Sequence, residues 1–238
     1  MRLRPFLSLA ALLAAIAATP APEPAFAQVG SIMGQQQQEE QPAVRSAPDA
    51  VDPAAPLPGQ AEISAVEQYL NGIHTMKARF LQTANDGKST TGDFYMKRPG
   101  RLRFEYDKPV KDLIVADGLQ IHYYDGDMKQ DSAAPISKSL ADFFLRKNLK
   151  LSGDVRVSDL RRDNGLLYLT VVEAKDGLAG SLTLGFTENP LQLKKWRVVD
   201  GQGQVTEVEL LDTQVGIDID SELFHYYDPE AKNPRYNR

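Results

Sequence analysis

The sequence predicts a mainly β domain with some α structure: a long curved antiparallel sheet of about eleven strands, preceded by one helix and interrupted by a short helical insertion. Three observations carry that reading. Apolar and polar residues alternate with period two through most of residues 76–211. Turn pairs punctuate the alternation at hairpin spacing: Asp117-Gly118, Asp125-Gly126, Asn164-Gly165, Asp176-Gly177, Asn189-Pro190 and Asp200-Gly201. Apolar residues recur at helical spacing around 62–73 and 135–148.

The 238 residues suffice for one domain of ordinary core size with extensions. The first extension, 1–27, reads as a secretory signal peptide. Arg2 and Arg4 form its basic start, Phe6 to Ala18 its apolar run, and Ala25-Phe26-Ala27 the cleavage site. That run is about 13 residues, short of the roughly 20 that span a bilayer. Leu3 separates the arginines, so the signal is not of the twin-arginine kind. The chain has no cysteine, which excludes disulfides, thiolate metal ligands, a cysteine nucleophile and an acylated N-terminal cysteine. The expected compartment is therefore the periplasm, with the mature chain exported and soluble. Loss of Arg2, Arg4 and Glu23 with the signal leaves 25 basic against 31 acidic side chains, an acidic balance that argues against nucleic acid as a partner.

Residues 28–60 are rich in Gln, Pro, Ala and Glu, and cannot bury enough apolar area to offset chain entropy; they read as a disordered tether. The folded domain is expected over 61–228, with a polar tail at 229–238. It opens with a helix in which Ile63, Val66, Leu70 and Ile73 share a face, ending near His74. Strands follow in 76–86, on either side of Pro99-Gly100 in 92–106, and twice in 113–127, with a short one at Lys129 to Ser132. Pro135 and Ser137 then open one or two short helices through Asn148. Strand signals resume at 155–162, 166–172, 181–186, 191–199 and 205–211.

Catalytic chemistry has no positive support. His74, His122 and His225 lie far apart with no partner at metal-ligand spacing, and there is no G-x-S-x-G elbow. Gly87-Lys88-Ser89-Thr90 resembles the tail of a phosphate-binding loop, but Gln82 stands where that loop needs glycine. Asp125-Gly126-Asp127 lacks the other ligands of a calcium loop. The sequence implies no cofactor, no metal and no enzyme.

The inward positions of the sheet are more informative. They hold large apolar groups, Phe80, Phe94, Met96, Leu102, Phe104 and Tyr106, and the next inward position after Met96 is Arg98. A sheet packed on itself as a dry sandwich would reject an isolated charge, at a cost of several kcal/mol. A sheet curled round a covered cavity tolerates one. Pattern alone leaves Arg98 two roles: a charge inside such a cavity, or a strand-end arginine whose stem lies over the core while its head reaches water.

A resemblance separates them. The helix, Ala78-Arg79-Phe80-Leu81-Gln82, the block GDFYMKRPGRLRFEY at 92–106, Asp117-Gly118 leading into Ile121 to Asp125, Phe143-Phe144-Leu145 and Asp220 to Phe224 together resemble the periplasmic outer-membrane lipoprotein carriers, the LolA family, over roughly 62–228. The resemblance implies an unclosed β-barrel of eleven strands covered by lid helices over a hydrophobic cavity. It implies acylated lipoproteins as cargo, an inner-membrane ATP-driven transporter that releases them, an outer-membrane acceptor, and a monomeric carrier. In the family the arginine of the R-P motif hydrogen-bonds to lid-helix backbone and holds the empty carrier closed; that position is Arg98. The position matching a family phenylalanine linked to transfer is Leu102, which keeps an apolar group without the ring. The candidate latch and ligand-binding residues are therefore Arg98, Phe94, Met96, Leu102, Phe104, Leu140, Phe143 and Phe144, the last three on the lid.

Two other readings share parts of this pattern. An envelope-stress sensor or glycolipid-binding relative with the same barrel usually has a second domain, and here only the tether precedes the barrel. A periplasmic hydrolase needs a nucleophile and base that the sequence does not assemble.

Overall fold

A computed structural model describes residues 59–138, 140–175 and 180–231. The predicted signal peptide, nearly all of the tether, the Asp176-Gly177 turn and most of the tail lie outside these residues. The helix α1 (Gln60–Gly72) starts inside the stretch assigned to the tether, and buries Val66 and Leu70. Eleven strands follow: β1 (Thr75–Ala84), β2 (Ser89–Lys97), β3 (Arg101–Tyr106), β4 (Leu113–Asp117), β5 (Gln120–Asp125), β6 (Gln130–Pro135), β7 (Val155–Asp163), β8 (Leu166–Glu173), β9 (Gly180–Glu188), β10 (Leu191–Asp200) and β11 (Val205–Val215). Between β6 and β7 come a 3-10 turn (Ile136–Lys138) and α2 (Leu140–Leu145), and after β11 a 3-10 turn (Ser221–Phe224).

All strands form one antiparallel sheet in the order β6-β5-β4-β3-β2-β1-β11-β10-β9-β8-β7. The barrel is unclosed because β6 and β7, its two edges, do not pair with each other. Register shifts between Lys77 and Arg79, Leu193 and Lys195, and Val157 and Asp159 mark places where bulges increase the bend of the sheet. The aspartates of the turn pairs explain much of the hairpin rhythm. Asp117, Asp125 and Asp200 each accept two backbone N–H bonds through Oδ1 from residues just beyond them. Asn164 and Gly165 both have positive φ, as a two-residue hairpin requires.

Cross-strand register stacks the inward residues into rows. Met76, Met96, Leu102 and Ala116 form one row across β1 to β4, and Ala78, Phe94, Phe104 and Ile114 the next. In the third row Gly92 faces Phe80, and a Cβ on it would come within 2.7 Å of the ring. The other half contributes Leu169, Leu184 and Trp196, with Val171, Leu182 and Val198 beside them. These rows and α1 form a continuous core.

Other boundaries also differ from the sequence reading, and the helical segment ends at Leu145 rather than Asn148. Pro135 closes β6 instead of opening the helical segment, because β6 is an edge strand where a missing N–H leaves no ladder bond unmade. The start of the tail is also packed against the barrel: Glu230 accepts a hydrogen bond from Tyr124 Oη at 2.9 Å and pairs with Lys129 at 3.2 Å.

Candidate functional site

Ala141 and Phe144 of α2 meet Phe94, Leu102 and Phe104 from one half of the sheet and Leu182, Leu184, Trp196 and Val198 from the other. Between them is a wholly apolar pocket with only ≈ 30 Å³ of free space. A site for a drug-sized ligand holds roughly 300 Å³ or more. The hydrophobic cavity expected from the sequence is thus small, with Ala141 and Phe144 of α2 forming part of its wall. Phe144 packs with its ring centroid 5.9 Å from that of Trp196, which in turn packs on Phe94 at 5.6 Å.

Arg98 stands at the edge of this arrangement, one residue past the end of β2. Its backbone N–H donates to His74 O at 2.8 Å, continuing the ladder and aiming the side chain at the helices. Nε donates to Phe144 O at 2.9 Å, and Nη1 donates to Leu70 O. Both acceptors lie in the last turns of their helices, where carbonyls lack i+4 partners, although Leu70 O also accepts from the Ile73 N–H at 3.3 Å. The guanidinium also lies 5.4 Å from the Phe144 ring centroid. One arginine therefore ties α1, α2 and the end of β2 together. Burial pulls its pKa down to about 10, so it remains charged at neutral pH. Nη2 is buried with no hydrogen-bonding partner among the described residues. Closure leaves this charge incompletely satisfied.

The other candidates divide. Phe94, Leu102 and Phe104 line the pocket, as does Phe144. Met96 is buried in the neighbouring row, outside the lining, and Phe143 is buried with Arg146 5.9 Å from its ring. Leu140 begins α2, and its side chain lies outside the described residues. Sequence reasoning missed Ala141, Leu182, Leu184, Trp196 and Val198. The alternation of SLTLGF and LQLKKWRVV marks the strand residues as inward-facing, but only closure of the two halves on α2 brings them to one pocket. No group of three or more potential metal ligands occurs among the described residues.

Fold and site together define a lidded half-barrel: an open antiparallel sheet whose concave apolar face is stoppered by a short helix. The chain belongs to the LolA family, since residues 71–227 match the family model described as "Outer membrane lipoprotein carrier protein LolA". Relatives include an outer-membrane lipoprotein carrier protein of Methylococcus capsulatus, 25% identical over 175 residues, covering 70% of this chain and 83% of its own. Another of that name from Methylibium petroleiphilum is 29% identical over 175 residues, covering 70% and 85%. A conserved protein of Thermus thermophilus with a crystal structure superposes over 71% of this chain and 94% of its own, with a TM-score of 0.43 and 13% identity.

Proposed function

We propose that this chain accepts acylated lipoproteins released from the inner membrane by an ATP-driven transporter, carries them through the periplasm, and surrenders them to an outer-membrane acceptor. Carriage of lipoproteins in the periplasm is the role of the family to which the chain belongs. What supports a mechanism for it here is one observation: the wall of the ≈ 30 Å³ pocket includes α2, and α2 is held by Arg98. Acyl chains enter by displacing α2 and take the place of Ala141 and Phe144 on Trp196 and its neighbours.

The energetics require such a displacement. Each buried methylene contributes about 0.8 kcal/mol, so full burial of one long acyl chain approaches or exceeds 10 kcal/mol and of several would make release impossibly slow. Loading that first breaks the Arg98 bonds lowers net affinity by the cost of opening, and reclosure returns that free energy on delivery. In this reading residues 1–27 direct export, residues 28–60 space the domain, and the domain at 61–228 acts as a monomer. Depletion of the protein followed by membrane fractionation tests the role: lipoproteins accumulate at the inner membrane if it holds, and unchanged sorting refutes it.

A further inference from the structure

The lid segment is anchored at two places of different character. α2 is held by Arg98 Nε to Phe144 O and by the Gly100 N–H, which donates to Leu145 O at 3.0 Å. The stretch beyond it is held to α1. Asn71 donates from Nδ2 to Leu149 O at 2.9 Å and accepts from Leu149 N at 2.8 Å, so one side-chain amide pairs with both backbone groups of a residue 78 positions away. One helical turn earlier, Glu67 accepts from Leu151 N at 2.8 Å. The side chains of Leu149 and Leu151 are both buried in the core.

We infer that Asn71 and Glu67 are the fixed hinge of the lid, a positioning pair that keeps residues 149–151 on α1 while α2 swings. This rests on the carrier reading above. The pocket wall contains residues of α2 and none of α1, so cargo must move α2, whereas nothing requires α1 to leave the sheet. Arg98 straddles the boundary: Leu70 O is on the stationary side and Phe144 O on the moving side. Opening therefore breaks the Phe144 bond while the guanidinium keeps Leu70 O, and the charge is never left without an acceptor. The hinge also sets the reach. Leu145 lies four positions before the pinned Leu149, and at ~3.5 Å per step the end of α2 travels within about 14 Å of it.

Hydrogen exchange at single amides of the full chain, with and without a synthetic triacylated lipopeptide, tests this. On loading, the Gly100 amide exchanges about tenfold faster or more, and the Leu149 and Leu151 amides stay within about twofold of the empty chain. Acceleration of Leu149 and Leu151 together with Gly100 overturns the hinge and leaves the carrier reading standing. No change at any of the three amides with lipopeptide bound overturns the lid reading and the hinge with it. In Asn71→Leu, checked for folding by thermal melting, the loaded chain releases the Leu149 amide as well; undiminished Leu149 protection in that variant shows that the side-chain pair is not the clamp.

Discussion

Arg98 Nε lies 2.9 Å from the carbonyl oxygen of Phe144, a bond that joins the end of β2 to the helix in the pocket wall. The acceptor belongs to a helix end and the donor is a charge with no carboxylate beside it among the described residues. The contact is therefore a charge-assisted bond, set against the desolvation of a guanidinium whose Nη2 finds no hydrogen-bonding partner among the described residues. The desolvated guanidinium and its unpartnered Nη2 work against that bond, which keeps closure reversible.

Replacing Arg98 with leucine removes the bonds but leaves an apolar side chain over the lid. Hydrogen bonds to charged groups contribute roughly 1.5–3 kcal/mol each, so closure weakens by tenfold or more. Arg98→Leu is expected to accept lipoprotein from donor membranes as well as or better than the native chain, and to deliver it to an outer-membrane acceptor about tenfold more slowly. Normal delivery by the variant would sink the latch. Arg98→Lys keeps a charge without the planar fork that reaches two carbonyls, and should fall between the two.

Trp196 is the sole tryptophan of the chain, it lines the pocket, and its ring centroid sits 5.9 Å from that of Phe144. Its fluorescence should report lid displacement directly. Binding of an acylated peptide is expected to shift the emission, and Phe144→Ala, which opens space beside the indole, should bind a fluorescent fatty acid several-fold tighter while losing about 1–3 kcal/mol of stability because Phe144 is only partly buried. Titration of the native chain and the variant checks both. An emission spectrum indifferent to cargo places the acyl chains elsewhere.

Asp112, half-buried beside the β5–β6 turn, accepts from the Gly126 N–H at 3.0 Å. Burial pushes its pKa up from the ordinary aspartate range, and the nearby charges of Asp125 and Asp127 add to the rise. The folded state therefore holds the proton more tightly than the unfolded one. Stability from this group is present below the unfolded value of about 3.9 and is lost as pH rises through the raised one. Asp112→Asn keeps an acceptor for Gly126 without the charge. It should raise the midpoint of thermal unfolding at pH 7 by roughly 1–2 °C, a small effect because the carboxylate is partly screened by solvent, with the advantage vanishing below about pH 4. A constant advantage across that range would assign the effect to packing instead.

Much of this molecule was legible along the chain. Alternation in 92–106 put Phe94, Met96, Leu102, Phe104 and Tyr106 on one face, and all five are buried. The turn aspartates marked the hairpins because their side chains hydrogen-bond only a few residues ahead, a local interaction. The fate of Pro135 was less legible, since whether a proline ends a strand or begins a helix depends on whether that strand is an edge, which is a property of the whole sheet.

Arg98 shows the division most clearly. Period two and the turn at Pro99-Gly100 determine that a charge follows an inward apolar row, and the surrounding block determines the family. The family resemblance implies lid-helix backbone as the partner of the guanidinium, but not which carbonyls it meets. Its acceptors, Leu70 O and Phe144 O, are 28 and 46 residues away, and they are backbone atoms that carry no residue-type signal. The same holds for Asn71 and Leu149, and for the second wall of the pocket at Leu182, Leu184 and Trp196. Local pattern and turn chemistry act over a few residues and so can be read from the chain. Which helix end closes over which half of the sheet is decided only when long-range burial brings α1, α2 and the two edges of the barrel around one core.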